Sequence, residues 1–172
     1  MMNENFVQPD LPEHAAADVV RGCYKCNSYS GLLDKDPGSK TLENVTLLGS
    51  GAILTEVIKA AQILATQGAA VHVFSVTSWS ELARERQTCA GTKDSVPFIA
   101  QQLHKSAGPI IAATDYVRAV PESVRAYLPE GRTYVTLGTD GFGRSDTRAA
   151  LRGFFGVDAT SIVSTAFGLL NG

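Results

Sequence analysis

Cysteine and histidine are scarce in this sequence, with Cys 3 and His 3 among 172 residues. So few cysteines make no disulfide framework, and they favour a cytoplasmic protein whose thiols stay reduced. His14, His72 and His104 stand apart, with no carboxylate or serine arranged around them. No Ser-His-Asp set and no metal-ligand cluster can be argued from them. Also missing is any run of about 18 apolar residues long enough to span a bilayer. The acidic, polar N-terminus lacks the basic-then-apolar order of a signal peptide. Neither sign of charge prevails: 15 basic against 17 acidic residues give a net charge of -2, too little for an electrostatic footprint on nucleic acid. Neither a membrane nor a nucleic acid is therefore an expected partner. Internal repeats and low-complexity segments are absent too.

What the chain does have is a globular composition, 44% apolar and 19% charged. Its length suits one domain, which buries roughly 70% of the unfolded chain's surface. Residues 1–41 read as a linker and N-terminal extension. Within it, 1–12 is polar and proline-punctuated, 34–39 (Asp-Lys-Asp-Pro-Gly-Ser) is a turn, and 22–29 suits a strand at a sheet edge. Residues 42–172 form the domain proper, with strands predicted over 45–48, 71–76, 110–113 and 133–137.

Helices alternate with these strands. Ile53, Leu54, Val57, Ile58, Ala61, Leu64 and Ala65 recur at spacings of 3 and 4, which makes an apolar helix face, and Gly68 stops it as a left-handed cap. Ser78 with Glu81 reads as a capping box opening a helix that ends near Cys89. Pro97 opens another, reaching about Lys105 with Phe98, Ile99 and Leu103 inward. Pro121 lies in the first turn of a helix ending before Pro129. Two more are predicted over 146–155, capped by Ser145, and 159–170. Arg144, Arg148 and Arg152 at helical spacing suggest a solvated face. Strand and helix alternating four times predict an α/β fold, a parallel sheet with helices on both faces.

Three loops after strands are candidate sites, because parallel sheets place ligands and partners at their carboxyl ends. Gly49, Ser50 and Gly51 link the first domain strand to its helix. They could admit an anion, but the third dinucleotide glycine and the P-loop lysine are absent, and a tight turn with close helix packing explains them equally. Thr114 and Asp115 follow the third strand, where Asp115 could cap the next turn. Thr139, Asp140 and Arg144 lie in the glycine-rich stretch 138–146, where Asp140 and Arg144 could pair, cap a helix or meet a subunit. Cys23 and Cys26 form a lone CxxC. Their offset of three along a strand points the thiols to opposite faces, which argues against a metal or redox pair.

Several segments occur in a telling order: Met2-Asn3-Glu4-Asn5-Phe6, Gly22-Cys23-Tyr24-Lys25, Leu47-Leu48-Gly49-Ser50-Gly51, and Ser75-Val76-Thr77-Ser78 with Glu81-Leu82-Ala83-Arg84. Then come Val96-Pro97-Phe98-Ile99-Ala100-Gln101, Thr114-Asp115-Tyr116, and Leu137-Gly138-Thr139-Asp140-Gly141-Phe142-Gly143-Arg144-Ser145-Asp146. Together they resemble the C-terminal domain of the decarboxylating component of bacterial, single-chain, homodimeric pyruvate dehydrogenases, within the transketolase C-terminal domain family. The resemblance implies a three-layer α/β/α sandwich on a mostly parallel five-stranded sheet, with the strand around Tyr24 as the antiparallel edge. It implies an oxidoreductase of pyruvate metabolism, feeding from glycolysis, that uses thiamine diphosphate and magnesium to decarboxylate pyruvate and acetylate a lipoyl group. The implied partners are the remaining domains, the second subunit and the lipoyl acetyltransferase component.

The family's cofactor-binding Gly-Asp-Gly…Asn motif and its activating glutamate belong to earlier domains and do not occur here. No catalytic, cofactor-binding or metal residue is therefore expected in this chain, and no cofactor in the chain alone. Its expected role is structural, in assembly. The stretch 89–96 is shorter than is usual in the family, and the chain stops at Gly172 where relatives typically continue. Two other readings are a free-standing module holding an anion or nucleotide on its glycine loops, and a subunit-interaction module with an exposed apolar patch.

Overall fold

The computed structural model describes residue 7 and residues 9–29, 44–88 and 96–171. The turn expected at 34–39, most of 1–12, and the short 89–95 stretch lie outside the described residues.

Five strands form one sheet in the order β1-β3-β2-β4-β5. They are β1 (Cys23–Tyr29), β2 (Val45–Gly49), β3 (Val71–Val76), β4 (Ile110–Ala113) and β5 (Tyr134–Leu137). β1 pairs antiparallel with β3 at one edge, and the other three pairings are parallel. The helices are α1 (Ala16–Val20), α2 (Leu54–Thr66), α3 (Trp79–Thr88), α4 (Phe98–Leu103), α5 (Ala119–Glu122), α6 (Arg148–Phe155) and α7 (Ala159–Leu170).

Successive strand side chains point to opposite faces, and the sequence fills both faces with apolar residues. Leu47, Val73 and Ile111 enter one core with α2 and α7, where Val57, Leu64 and Ile162 are fully enclosed. Their neighbours Leu48, Phe74 and Ile110 enter the other with α3 and α4, against Leu82, Ile99 and Leu103. Two cores on either side of one sheet make the three-layer sandwich. Gly49 sets the spacing of β2 and α2, since a Cβ there would stand 3.0 Å from the Leu54 Cα and from a Val57 methyl.

The strands lie where the alternation placed them, and Gly68 takes the expected left-handed backbone at φ 94°. The thiols of Cys23 and Cys26 do face opposite ways, one into each core. Burial pushes both up from their ordinary range.

Four helical expectations change. Ser78 Oγ accepts the Glu81 N–H at 3.1 Å, but Ser78 N–H goes to the Gly22 carbonyl and Glu81 instead pairs with Arg84, so only half a capping box forms. α4 stops at Leu103, short of Lys105, where the Ser106 hydroxyl takes the Leu103 carbonyl at 2.8 Å. The helix expected from Pro121 towards Pro129 is one turn of α5 and a separate 3-10 turn at Arg125–Tyr127. There the Pro121 carbonyl takes the Tyr134 hydroxyl at 2.8 Å and the Val124 N–H at 3.4 Å, an i+3 bond that tightens the end of the turn. Finally α6 starts at Arg148 with Thr147 as its cap, not Ser145: extended Thr147 accepts the Ala150 N–H.

Residues 148–170 have the length and mean hydropathy, 1.4, of a bilayer span. They are nevertheless two helices, because Gly156 turns left-handed at φ 67° and Asp158 caps α7 through the Ser161 N–H. Helices of 8 and 12 residues fall short of the ~20 that a bilayer core needs.

Candidate functional site

The three candidate loops meet at the carboxyl end of the sheet. The chain runs β2 to β3 on one side of β2, then crosses to β4 on its other side. The crevice between β2 and β4 is therefore the topological switch point, where open parallel sheets place ligands.

Ser50 and Thr114 close that crevice. The buried Ser50 hydroxyl donates to Thr114 Oγ1 at 2.7 Å, and Thr114 Oγ1 accepts the Tyr116 N–H at 3.2 Å. Thr114, not Asp115, thus caps the turn after β4. Asp115 instead lies across the crevice against Gly51, where a Cβ would come within 3.1 Å of its Oδ1. That oxygen is closed off from solvent and has no hydrogen-bond partner. The Gly49–Gly51 turn takes the form of a tight strand-to-helix connection, running into a 3-10 turn at Gly51–Ile53.

The third loop is tied to the second. Thr139 donates its hydroxyl to the Asp115 carbonyl at 2.7 Å and its N–H to the Tyr116 carbonyl at 2.9 Å. Asp140 and Arg144, offered above as a possible pair, do not pair. Asp140 takes the Arg118 backbone N–H at 2.8 Å and its Nε at 2.5 Å. These two hydrogen bonds, the side-chain one first, hold the Asp140 carboxyl below its ordinary range. Arg144 extends over the Phe154 ring, with its guanidinium carbon 4.0 Å from the centroid.

Arg152 departs from the solvated face expected of it. Its Nη1 meets Glu56 Oε1 at 3.1 Å, and the same carboxylate binds Lys59 and accepts the Ala159 N–H at 3.1 Å. Glu56, only 7% exposed, therefore joins α2, α6 and the start of α7. The sequence reading missed it and Arg118, because their partners lie 96 and 22 positions away. The one local signal was an acidic residue inside an apolar helix.

Two of the cavities at this end bear on the candidate loops. One of about 770 Å³ lies between β5, α6 and α7, walled by the Arg118–Asp140 pair and the α7 hydroxyls of Thr160, Ser161, Ser164 and Thr165. The other, about 330 Å³, brings Asp115, Thr139 and Arg144 together beside Ile53 and the inner side of α6. Among the described residues no group of three His, Cys, Asp or Glu side chains could hold a metal ion. A magnesium diphosphate needs such oxygen donors. Asp140 is engaged by Arg118 and Asp115 stands alone, so these residues do not fit that group.

Solved transketolases share the fold. The enzyme from Campylobacter jejuni superposes with a TM-score of 0.57 at 18% identity over 88% of this chain and 19% of its own. That from Leishmania mexicana gives 0.56 at 18% identity, covering 92% and 19%. Sequence relatives are nearer. The pyruvate dehydrogenase E1 component of Escherichia coli is 42% identical over 98% of this chain and 19% of its own length. That of Mycobacterium tuberculosis is 38% identical over 99% and 18%. The chain thus spans about a fifth of the length of the relatives it matches. Residues 33–158 match the Transketolase-like TK C-terminal domain family. With a sheet of the same kind and a match over most of its length, the chain belongs to that family.

Proposed function

We propose that this chain serves as the C-terminal domain of a thiamine-diphosphate-dependent pyruvate dehydrogenase component, and that its role there is assembly rather than catalysis. The identity of 42% over 98% of the chain to the Escherichia coli component carries the reading. In the full enzyme the thiamine diphosphate and magnesium are held by the other domains, where the cofactor supplies the chemistry that decarboxylates pyruvate. The described residues contain no donor set for that group. The full enzyme acts as a cytoplasmic homodimer that passes the acetyl group to the lipoyl acetyltransferase component.

The surface supports a docking role. α6 has no buried residue although its sequence is amphipathic, and Phe142 beside it is 95% exposed, with Phe154, Tyr116 and Val117 also exposed. Exposed apolar side chains on the loops and helix of this end suit an interface, and the cofactor-binding domains of the same enzyme are the occupant we assign to them. The purified chain is expected to show no thiamine-dependent release of carbon dioxide from pyruvate. Turnover by the chain alone would overturn the proposal.

A further inference from the structure

We propose that residues 141–156, which carry α6, form a strap that opens as one unit from the rest of the domain, pivoting at a glycine near each end and latched by the Arg152–Glu56 pair.

Both ends of the strap are fixed and its middle is not. Ahead of it, Thr139 is bound to the Asp115 and Tyr116 carbonyls, and Asp140 to the Arg118 N–H. Behind it, Val157 is buried in the core. Between these anchors residues 141–150 are all exposed, and α6 has no fully buried residue. Glycines stand at both pivots, Gly141 with φ 93° and Gly156 with φ 67°. A Cβ at Gly141 would meet nothing within 4 Å, so the backbone there turns without moving a neighbour.

Packing leaves room for the movement. α6 borders three cavities, of about 770, 330 and 320 Å³, through Leu151, Phe154 and Phe155 among others. The one of about 330 Å³ lies between α6 and Ile53, just before α2. Protein interiors are close-packed, and side chains that face a void forgo the contacts that would hold their helix down. α7, by contrast, buries Ile162 and Ala166 in the core it shares with α2.

Contacts within the strap keep it a unit. Thr147 caps α6 at the Ala150 N–H, and Arg144 lies over the Phe154 ring, which meets Phe155 edge-on at 5.0 Å. Toward the body of the domain run the packing of Phe155 on the core and the 3.1 Å bond from Arg152 to Glu56. Glu56 keeps Lys59 and the Ala159 N–H when Arg152 leaves, so opening strands no buried carboxylate. The open strap bares Leu151, Phe155 and Ile53, and so sets how much apolar surface this end of the domain offers. Opening is a property of the chain alone and stands whether or not the docking proposed above occurs.

Hydrogen exchange read by mass spectrometry on the 172-residue chain, without urea and in low urea, tests the proposal. Amides of 148–155 should exchange through one common opening that urea barely accelerates, while those of α2 and α7 wait for global unfolding. Arg152→Gln should speed exchange across 148–155 by about tenfold, the scale of one lost charge-assisted hydrogen bond, and leave β2, β3 and β4 unchanged. The same variant should bind more of an apolar fluorescent dye, because an opened strap bares Leu151 and Phe155. Arg84→Gln, on α3, should match the unaltered chain in both measurements. Exchange of α6 in step with α7 in the unaltered chain overturns the proposal. So does an Arg152→Gln effect that is absent, that spreads equally over α2 and the strands, or that leaves dye binding unchanged.

Discussion

Glu56 shows how one side chain can join elements that are far apart in sequence. It is nearly buried on α2, yet three groups satisfy it: Lys59, Arg152 and the Ala159 N–H. Removing its charge weakens the ion pairs with Lys59 and Arg152 and the Ala159 N–H bond together, so Glu56→Gln should cost about 2 kcal/mol in urea denaturation. The exposed Arg84–Glu81 pair makes the contrast. There Arg84→Ala should change stability by less than about 0.5 kcal/mol, because water and salt screen both charges. His72 gives a pH dependence. Burial first, then Lys25 and Arg132, hold its imidazole below the ordinary 6.5. As pH falls below 6.5 the unfolded chain therefore takes up a proton that the folded chain refuses, and stability drops until the folded imidazole also titrates. Above 6.5 both states are neutral at this position and it contributes nothing. Melting temperatures measured from pH 7.5 down to pH 5 should fall less steeply in His72→Gln; identical slopes would refute the assignment.

At the scale of elements, α6 is the least anchored helix of the carboxyl end. It has no fully buried residue and is held by Phe155 against the core, the Thr147 cap, the Glu56–Arg152 pair and the left-handed turn at Gly156. A residue with a Cβ pays about 1–2 kcal/mol for that backbone conformation, so Gly156→Ala should lower stability by about this amount. Space is not the difficulty, since the nearest atom to a Cβ there is 3.9 Å away. Amide exchange should show α6 opening well before α2, whose apolar face is enclosed on the sheet. The elements also show what local pattern conveys. β2, β3 and β4 were legible because each alternates residues between two apolar cores. α5 was not, since its end is met by a hydroxyl from β5, where Tyr134 donates to the Pro121 carbonyl.

For the whole molecule, both cores are complete within the described residues, while the carboxyl-end surface is apolar in places and unfilled. That combination fits a domain that folds by itself and completes something larger. Phe142 touches neither core, so Phe142→Ser should leave the melting temperature of the chain unchanged. In the full-length enzyme proposed above, the same change should weaken association of this domain with the proposed cofactor-binding domains, read by limited proteolysis of the interdomain link. Unchanged proteolysis would remove Phe142 from the docking surface.

The candidate site was half legible. Its loops could be read from glycines and polar residues following strands, and a resemblance running through Leu137 to Asp146 pointed to the family that the match confirms. The pairings inside the site could not be read. Asp140 could have met Arg144 four residues on, but instead meets Arg118 on a different loop. Arg152 seemed to continue a solvated stripe until α2 was laid beside it. By itself the sequence determined the strands, the two-faced sheet and the family, because periodicity and motif are properties of neighbouring residues. Only the tertiary structure decided which charges pair, that one buried glutamate joins three helices, and that three separate loops enclose one arginine-lined cavity. Those outcomes depend on distances between segments that strand order alone brings together.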